Sequence, residues 1–299
     1  QGLTCDKKQE VIDCLNEIAG IEQRMKLYLT PYQLLIDPET NRVYPVTTSM
    51  LATRRMAAQH PNYMQLGKRG EAVYIRGFYL PDEDDHVIIS LDWSAFELVI
   101  IGEASGDPEF IKAYGQLPHA DLHGGATADI LAVPEKVLFA LKGAKEWNEF
   151  PEEYRINLKG EALDIAKAYG YWRTEIGKGA NFNYWYSGFL STVGERMGWN
   201  MDQTAEATDR YRDRFCVAEQ WRTDLITFGK LNGYVELMDG HRRARPECTH
   251  TWYREFMDTM VQPGDSQEIR AFWDICARRI QKRAANQLVN AYVQGTNAF

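Results

Sequence analysis

The chain has 299 residues, 44% of them hydrophobic and 12% aromatic, enough for one large domain or two ordinary ones around a substantial core. A formal net charge of −8 and a pI of about 5.4 argue against a protein that coats nucleic acid nonspecifically, while leaving room for a local basic track. No apolar run reaches the roughly 18–20 residues needed to span a bilayer, and the N-terminal QGLTCDKKQE has no signal-peptide core, so no membrane partner is expected.

The five cysteines are scattered without CxxC spacing. This argues against a zinc site and points to free thiols in a reducing, cytoplasmic compartment. The first residue is not Met, so we expect a processed chain or a piece of something longer.

Residues 6–29 read as a helix with Val11, Ile12, Leu15, Ile18 and Ile21 as its apolar positions. The DPETNR segment (37–42) reads as a hairpin-like turn between short strands, and 61–85 as irregular. Val87-Ile88-Ile89-Ser90-Leu91 reads as a buried strand. A helix is expected over 95–104, another from GDPEF with Pro108 in its first turn, and further helices over 121–131, 135–142, 161–188, 201–229 and 268–291. Residues 143–160 read as a surface insertion. GYVELMDGHRRARP (233–246) carries the Asp239-Gly240 signal of a hairpin.

Several constellations could carry chemistry. Asp92 ends the apolar run, where a carboxylate suits a metal ligand; it equally suits the cap of the following helix. Glu97 interrupts the next apolar stretch, and a buried carboxylate is costly unless paired or cation-bound. Lys178, Phe182 and Tyr186 share one helical column; they could grip a nucleotide, or Phe182 and Tyr186 could be core while Lys178 reaches solvent. His123, in Asp121-Leu122-His123, is a phosphate donor or a structural histidine. Asn286 and Asn290 share a helical face, with Gln294 near it, and could read minor-groove acceptors or simply be solvated. The clusters Arg54-Arg55, Lys68-Arg69, His241-Arg242-Arg243-Ala244-Arg245, Arg278-Arg279 and Lys282-Arg283 could be basic tracks or ordinary surface.

Six of these stretches fall in one order that resembles family A DNA polymerases. LDWSAFELVIIGEASGDPEF is similar to DYSQIELR…SGDP. Thr53-Arg54-Arg55 through Pro61-Asn62-Tyr63-Met64-Gln65 is similar to TGRLSSxxPNLQ. Asp121-Leu122-His123 with Thr127-Ala128 resembles DIHxxTA. Lys178, Asn181, Phe182 and Tyr186 match RxxxKxxNFxxxYG. Gly233 to Pro246 matches GYVETLxGRRRxxP, and Asn290, Gln294, Gly295 and Thr296 match NxPxQGTAAD.

The resemblance implies an α+β fold: an antiparallel polymerase right-hand palm with a mostly helical fingers subdomain, incomplete at the C-terminus. It divides the chain into a thumb-base and palm entry (1–50), palm with the first motif (51–98), fingers (99–267, with an insertion at 131–172 and the hairpin at 233–246) and a palm helix (268–299).

It further implies a phage-like template-directed DNA polymerase that uses primer-template DNA and a dNTP, with two Mg2+ ions held by Asp92 and the Trp93 carbonyl. Lys178 and His123 would hold the triphosphate, with Arg173 beside them. Phe182 would stack on the sugar, Glu97 would crowd a 2′ hydroxyl, and Tyr186 would guard the template base. Arg55, Asn62, Arg283, Asn290 and Gln294 would contact the duplex by shape.

Departures temper this. Thr174 stands where the family has an Arg four residues before the Lys, and Arg173 lies one residue off, on a different α-helical column. Ser187 replaces the Gly after the Tyr, and Asn286 replaces an Arg. The family's third motif, His-Asp-Glu, lies beyond the tail pattern, and the chain stops at Phe299. We therefore expect this chain alone to be nearly inactive, completed by a C-terminal segment or a second chain. A non-catalytic nucleic-acid-binding remnant stays open as an alternative. A single-subunit RNA polymerase is a third reading, against which Glu97 argues.

Overall fold

In a computed structural model of the chain, residues 5–49, 51, 55–66, 71–93, 95–159 and 164–297 are described. Arg54, Lys68 and Arg69 of the expected basic clusters lie outside them. The chain divides into two units, one running to Trp93 and the other from Ala95 onward.

The first unit starts with α1 (Cys5–Arg24), which runs through a π turn (Met25–Leu29) into α2 (Thr30–Leu35), where Pro31 occupies the first turn. The expected helix is present, but Val11, Ile12, Leu15, Ile18 and Ile21 are all exposed, at 45–59%. The DPETNR segment does turn. Asp37 Oδ1 accepts from the Glu39 and Thr40 amides at 2.8 and 3.1 Å, and the Thr40 and Glu39 amides hold that carboxyl below the usual carboxylate range. The Asp37 amide closes the turn on the Arg42 carbonyl at 2.8 Å, but among the described residues no strand pair joins its flanks. Instead β1 (Val46–Thr48) pairs antiparallel with β2 (Ala57–Gln59), with Thr47 opposite Ala58.

The expected buried strand at 87–91 is a correction. The segment has no regular secondary structure, and Val87, Ile88, Ile89 and Leu91 are 62–91% exposed. An apolar run is buried as a strand only when neighbouring strands satisfy its amides and a layer covers its face. Among the described residues no strand pairs with it.

The second unit is a helical body. Its elements are α3 (Phe96–Ser105), α4 (Pro108–Tyr114), α5 (Leu122–Ile130), α6 (Glu135–Ala140), α7 (Glu152–Lys159), α8 (Ile165–Trp172), a π segment (Arg173–Lys178), α9 (Gly179–Ser187), α10 (Ser191–Met197), α11 (Met201–Arg214), α12 (Cys216–Asn232), the hairpin β3 (Tyr234–Glu236) and β4 (Arg242–Ala244), α13 (His250–Met260) and α14 (Gln267–Thr296).

Six of these helix starts follow from capping chemistry: Asp107, Asp121, Asp164, Asn200, Thr249 and Ser266 each accept an amide of the helix they open. Asp107 does more. It is buried, and its second oxygen accepts the Ala218 amide at 2.9 Å, so one carboxylate caps both α4 and α12. The single helix expected over 201–229 is two, broken at Phe215, whose ring is fully buried against Phe110, Trp185 and Tyr211. Core packing of that ring, rather than local propensity, sets the break.

Trp172, Trp185, Tyr184, Tyr211, Phe110 and Phe215 are the largest side chains of the core. Two arginines of α11 fasten α5 to this body. Arg210 donates to the Asp129 and Ile130 carbonyls, each at 2.9 Å, which satisfies the end of α5. Arg214 pairs with Glu109, Asp129 and Glu135 at 3.0, 2.8 and 2.8 Å. A smaller cluster of Val235, Cys248, Ala284, Ala285, Leu288 and Ala291 packs the hairpin on α14. The turn at Asp239-Gly240 has the positive φ of 83° at Gly240 that the dipeptide signals. No helix among the described residues is long and apolar enough to cross a membrane.

Candidate nucleotide and nucleic-acid site

α3, α9 and α14 bring together three of the expected site residues. Tyr186 donates its hydroxyl to Glu97 Oε2 at 2.8 Å. Gln294 donates its amide to Glu97 Oε1 and lies 3.2 Å from the Tyr186 hydroxyl. Glu97 is in the first turn of α3, where the helix dipole favours an acid. The cost of an acid in an apolar stretch is thus met by two hydrogen bonds from distant helices.

One and two turns before Tyr186, Phe182 is 45% exposed and Lys178 is exposed with its Nζ 5.7 Å from the Phe182 ring centroid. The column is therefore mixed. Tyr186 packs partly against the core, whereas Phe182 and Lys178 face outward, an orientation that core packing does not explain.

Arg173 gives the clearest departure from sequence expectation. The segment Arg173–Lys178 is π-helical. Its backbone bonds run between i and i+5 rather than i+4, a wider turn that brings Arg173 and Lys178, five apart, nearer to one side than an α helix would. The wide turn narrows the offset between the two columns, and the charges of Arg173 and Lys178 both bear on His123.

Asp121 holds Arg173: the guanidinium Nε donates to both carboxylate oxygens at 2.9 and 3.1 Å, Tyr169 adds a hydroxyl, and Lys142 stands 3.8 Å away. Burial works against the Asp121 carboxylate, but the hydrogen bonds from Tyr169, the Gly124 amide and Arg173, with the Arg173 charge, outweigh it and hold its pKa below the usual range. Lys142 also lies over the Phe139 and Tyr169 rings, 4.8 and 4.5 Å from their centroids.

His123 sits in the first turn of α5 beside this cluster. Burial first, then the positive charges of Arg173 and Lys178, push its pKa down to about 4, with Asp121 opposing. It is a neutral imidazole at neutral pH. α5 and the π segment approach closely at Gly177, where a Cβ would stand 2.0 Å from the His123 carbonyl oxygen and 2.4 Å from Thr127 Oγ1. Only glycine fits there.

On α14, Arg279, Lys282, Arg283, Asn286, Gln287 and Asn290 line, with Tyr186, an open groove of about 350 Å3. Arg283 and Asn290 are thereby placed beside Tyr186. In the first unit Arg55 is exposed, and Asn62 caps a short 3-10 turn through the Met64 amide at 3.2 Å.

Asp92 and Trp93 are exposed. The reading of Asp92 as a helix cap is overturned: the N-cap of α3 is Ala95, in a left-handed conformation at φ 52°. Among the described residues the one group of three ligand-type side chains is Glu83, Asp85 and His86, all exposed, and Asp92 is not in it.

Asp121, Tyr169, Lys142 and Tyr211 carry this geometry without having been singled out for a role. Asp121 was visible only as the start of the Asp-Leu-His triplet. Tyr169, Lys142 and Tyr211 lie 48, 21 and 90 positions from Asp121, with no local pattern to mark them.

A helical body with small antiparallel hairpins gives the chain the fold of a solved polymerase domain. The fold is shared with the POL domain of Pol1 from M. smegmatis, solved in complex with DNA primer-template and dNTP: TM-score 0.58 at 17% identity, covering 92% of this chain and 39% of that one.

In sequence the chain is similar to family A DNA polymerases. Residues 1–140 match the sequence model described as DNA polymerase family A. The chain is 22% identical over 273 residues to DNA polymerase I of Bacillus caldotenax, covering 88% of this chain and 27% of that protein. It is 22% identical over 291 residues to DNA polymerase I of Geobacillus stearothermophilus, covering 94% and 29%. It is 21% identical over 244 residues to the thermostable DNA polymerase I of Thermus aquaticus, covering 79% and 25%. The chain thus spans less than a third of the length of these relatives.

Proposed function

We propose that this chain is the nucleotide-selecting part of a template-directed DNA polymerase, phage-like and acting in the cytoplasm, that transfers a deoxynucleotide from a dNTP to a primer 3′ hydroxyl. The observation that carries the reading is the convergence of Glu97, Tyr186 and Gln294 beside the Lys178–Phe182 column. Ordinary core packing has no use for an acid bridged by a phenol and an amide next to an outward-facing cation and ring.

Lys178 and Arg173 supply positive charge to a triphosphate, and His123 supplies a hydrogen-bond donor. Phe182 offers a flat face to the sugar. Glu97, fixed in place by its two partners, crowds a 2′ hydroxyl. Arg283, Asn290 and Gln294, together with Arg55 and Asn62, hold the duplex by backbone and minor-groove contacts.

Asp92 with the neighbouring Trp93 carbonyl is an exposed, all-oxygen donor pair of the kind that suits Mg2+, and these two residues would hold it. When bound, a pair of such ions supplies acidification of the 3′ hydroxyl and neutralisation of the leaving pyrophosphate.

Asp92→Ala in the complete polymerase tests the metal assignment. Incorporation should be lost while primer-template binding stays at wild-type affinity; normal extension by that variant would refute it. Lys178→Ala tests the triphosphate assignment and should raise the dNTP KM by tenfold or more, about 1.4 kcal/mol.

A further inference from the structure

Resting on the reading of His123 as a triphosphate contact, we propose that Asn181 and Tyr211 are positioning residues that fix the His123 imidazole as its Nε2–H tautomer, a neutral donor presented to an anionic oxygen. Neither residue touches a ligand in this scheme; both act through the ring of His123.

Asn181 is 3% exposed and Tyr211 is fully buried, so their polar atoms must be satisfied inside the protein. Tyr211, on α11, donates its hydroxyl to Asn181 Oδ1. With its carbonyl taken by Tyr211, Asn181 turns its NH2 group to His123, where Nδ2 lies 2.7 Å from Nδ1. A nitrogen that accepts a hydrogen bond cannot carry a proton, so the single proton of the neutral ring belongs on Nε2.

The surroundings keep the ring singly protonated. Burial, Arg173 and Lys178 oppose imidazolium formation, and Asp121, the one group favouring it, is already engaged by Arg173 and Tyr169. The same arrangement would keep the donor constant through the neutral pH range, where an ordinary histidine titrates.

The logic resembles the way a histidine ligand is oriented by the partner of its other nitrogen. Here the orienting group is an amide rather than a carboxylate. A carboxylate at this position would draw a proton to Nδ1 and charge the ring.

The test is the nitrogen NMR signature of His123 in the 299-residue chain labelled with 15N-histidine, read at pH 7 without ligand. The wild type should show a protonated Nε2 and an unprotonated Nδ1. Asn181→Asp should move the proton to Nδ1 and raise the pKa of the ring by at least one unit. Tyr211→Phe, which preserves the buried ring, should free the amide to turn and give a mixture of tautomers with the helical circular dichroism unchanged.

A wild-type ring protonated on Nδ1, or on both nitrogens, overturns the proposal even if every variant fails to fold. So does a Tyr211→Phe variant that folds and keeps the pure Nε2–H signature. A second arm titrates dATP into wild type and Tyr211→Phe in the presence of primer-template, with about a threefold to tenfold weakening expected in the variant. An Nε2–H wild type that shows no dATP binding supports the positioning pair while overturning the nucleotide reading beneath it.

Discussion

The hydroxyl of Tyr186 lies 2.8 Å from Oε2 of Glu97, a residue 89 positions earlier in the chain. Gln294 holds the other oxygen of the same carboxylate. A hydrogen bond to a charged group contributes about 1.5–3 kcal/mol, so each partner matters to where Glu97 stands. On the proposed reading, Tyr186→Phe in the complete protein should lower the preference for dNTP over rNTP by about tenfold, and Glu97→Ala by more, because the proposed crowding group itself is gone. The measurement is kcat/KM for matched deoxy- and ribonucleotides. Unchanged discrimination in Glu97→Ala would remove the acid from the sugar contact.

The hold of Asp121 on Arg173 makes a prediction. If Arg173 acts on the triphosphate beside Lys178, Arg173→Ala should raise the dNTP KM by about tenfold. The exchange Arg173→Thr with Thr174→Arg puts an Arg at the family A spacing, but removes the guanidinium that Asp121 holds. It should therefore fail to restore binding. Recovery of wild-type KM by the exchange would show that sequence spacing, not the Asp121 contact, governs binding.

Stability should depend on pH through His123. Its folded pKa of about 4 lies below the ordinary 6.5, so the unfolded chain binds the extra proton between these values. By linkage, stability is full above about pH 6.5 and is lost as the pH falls towards 4. Urea midpoints measured across that range should decline in the wild type and decline less in His123→Gln. Parallel curves for the two would mean that this ring does not contribute to the acid sensitivity.

Two glycine substitutions should move stability in opposite directions. Gly177→Ala places a Cβ 2.0 Å from the His123 carbonyl oxygen, a backbone atom that cannot move away without shifting α5; a loss of about 1–3 kcal/mol is expected. Gly170→Ala in α8 meets nothing within 4 Å, and there the ordinary helical preference for alanine should add about 0.5–1 kcal/mol. Chemical denaturation of the two variants decides it, and a neutral Gly177→Ala would contradict the close approach of α5 to the π segment.

The features legible in the sequence were those written locally. The helix opened by GDPEF followed from Pro108 in its first turn, and the hairpin followed from Asp239-Gly240. The Lys178–Phe182–Tyr186 column followed from periodicity, and Glu97 was conspicuous as an acid in an apolar run.

What stayed hidden depends on packing between distant segments. The π turn has no compositional signature, so the offset of Arg173 looked like a defect. The break at Phe215 reflects the rings it meets, not its neighbours in sequence. The apolar run at 87–91 has the pattern of an interior strand, but a pattern cannot supply the neighbouring strands that would bury it.

That last segment has a practical side. From Val87 to Leu91 the chain presents five uncharged, mostly β-branched residues to solvent, four of them large and apolar. An uncovered stretch of this kind is a template on which another copy can lay down its own backbone. Concentrated solutions of the isolated chain should therefore cloud on standing, and a lysine placed at Ile88 should keep them clear.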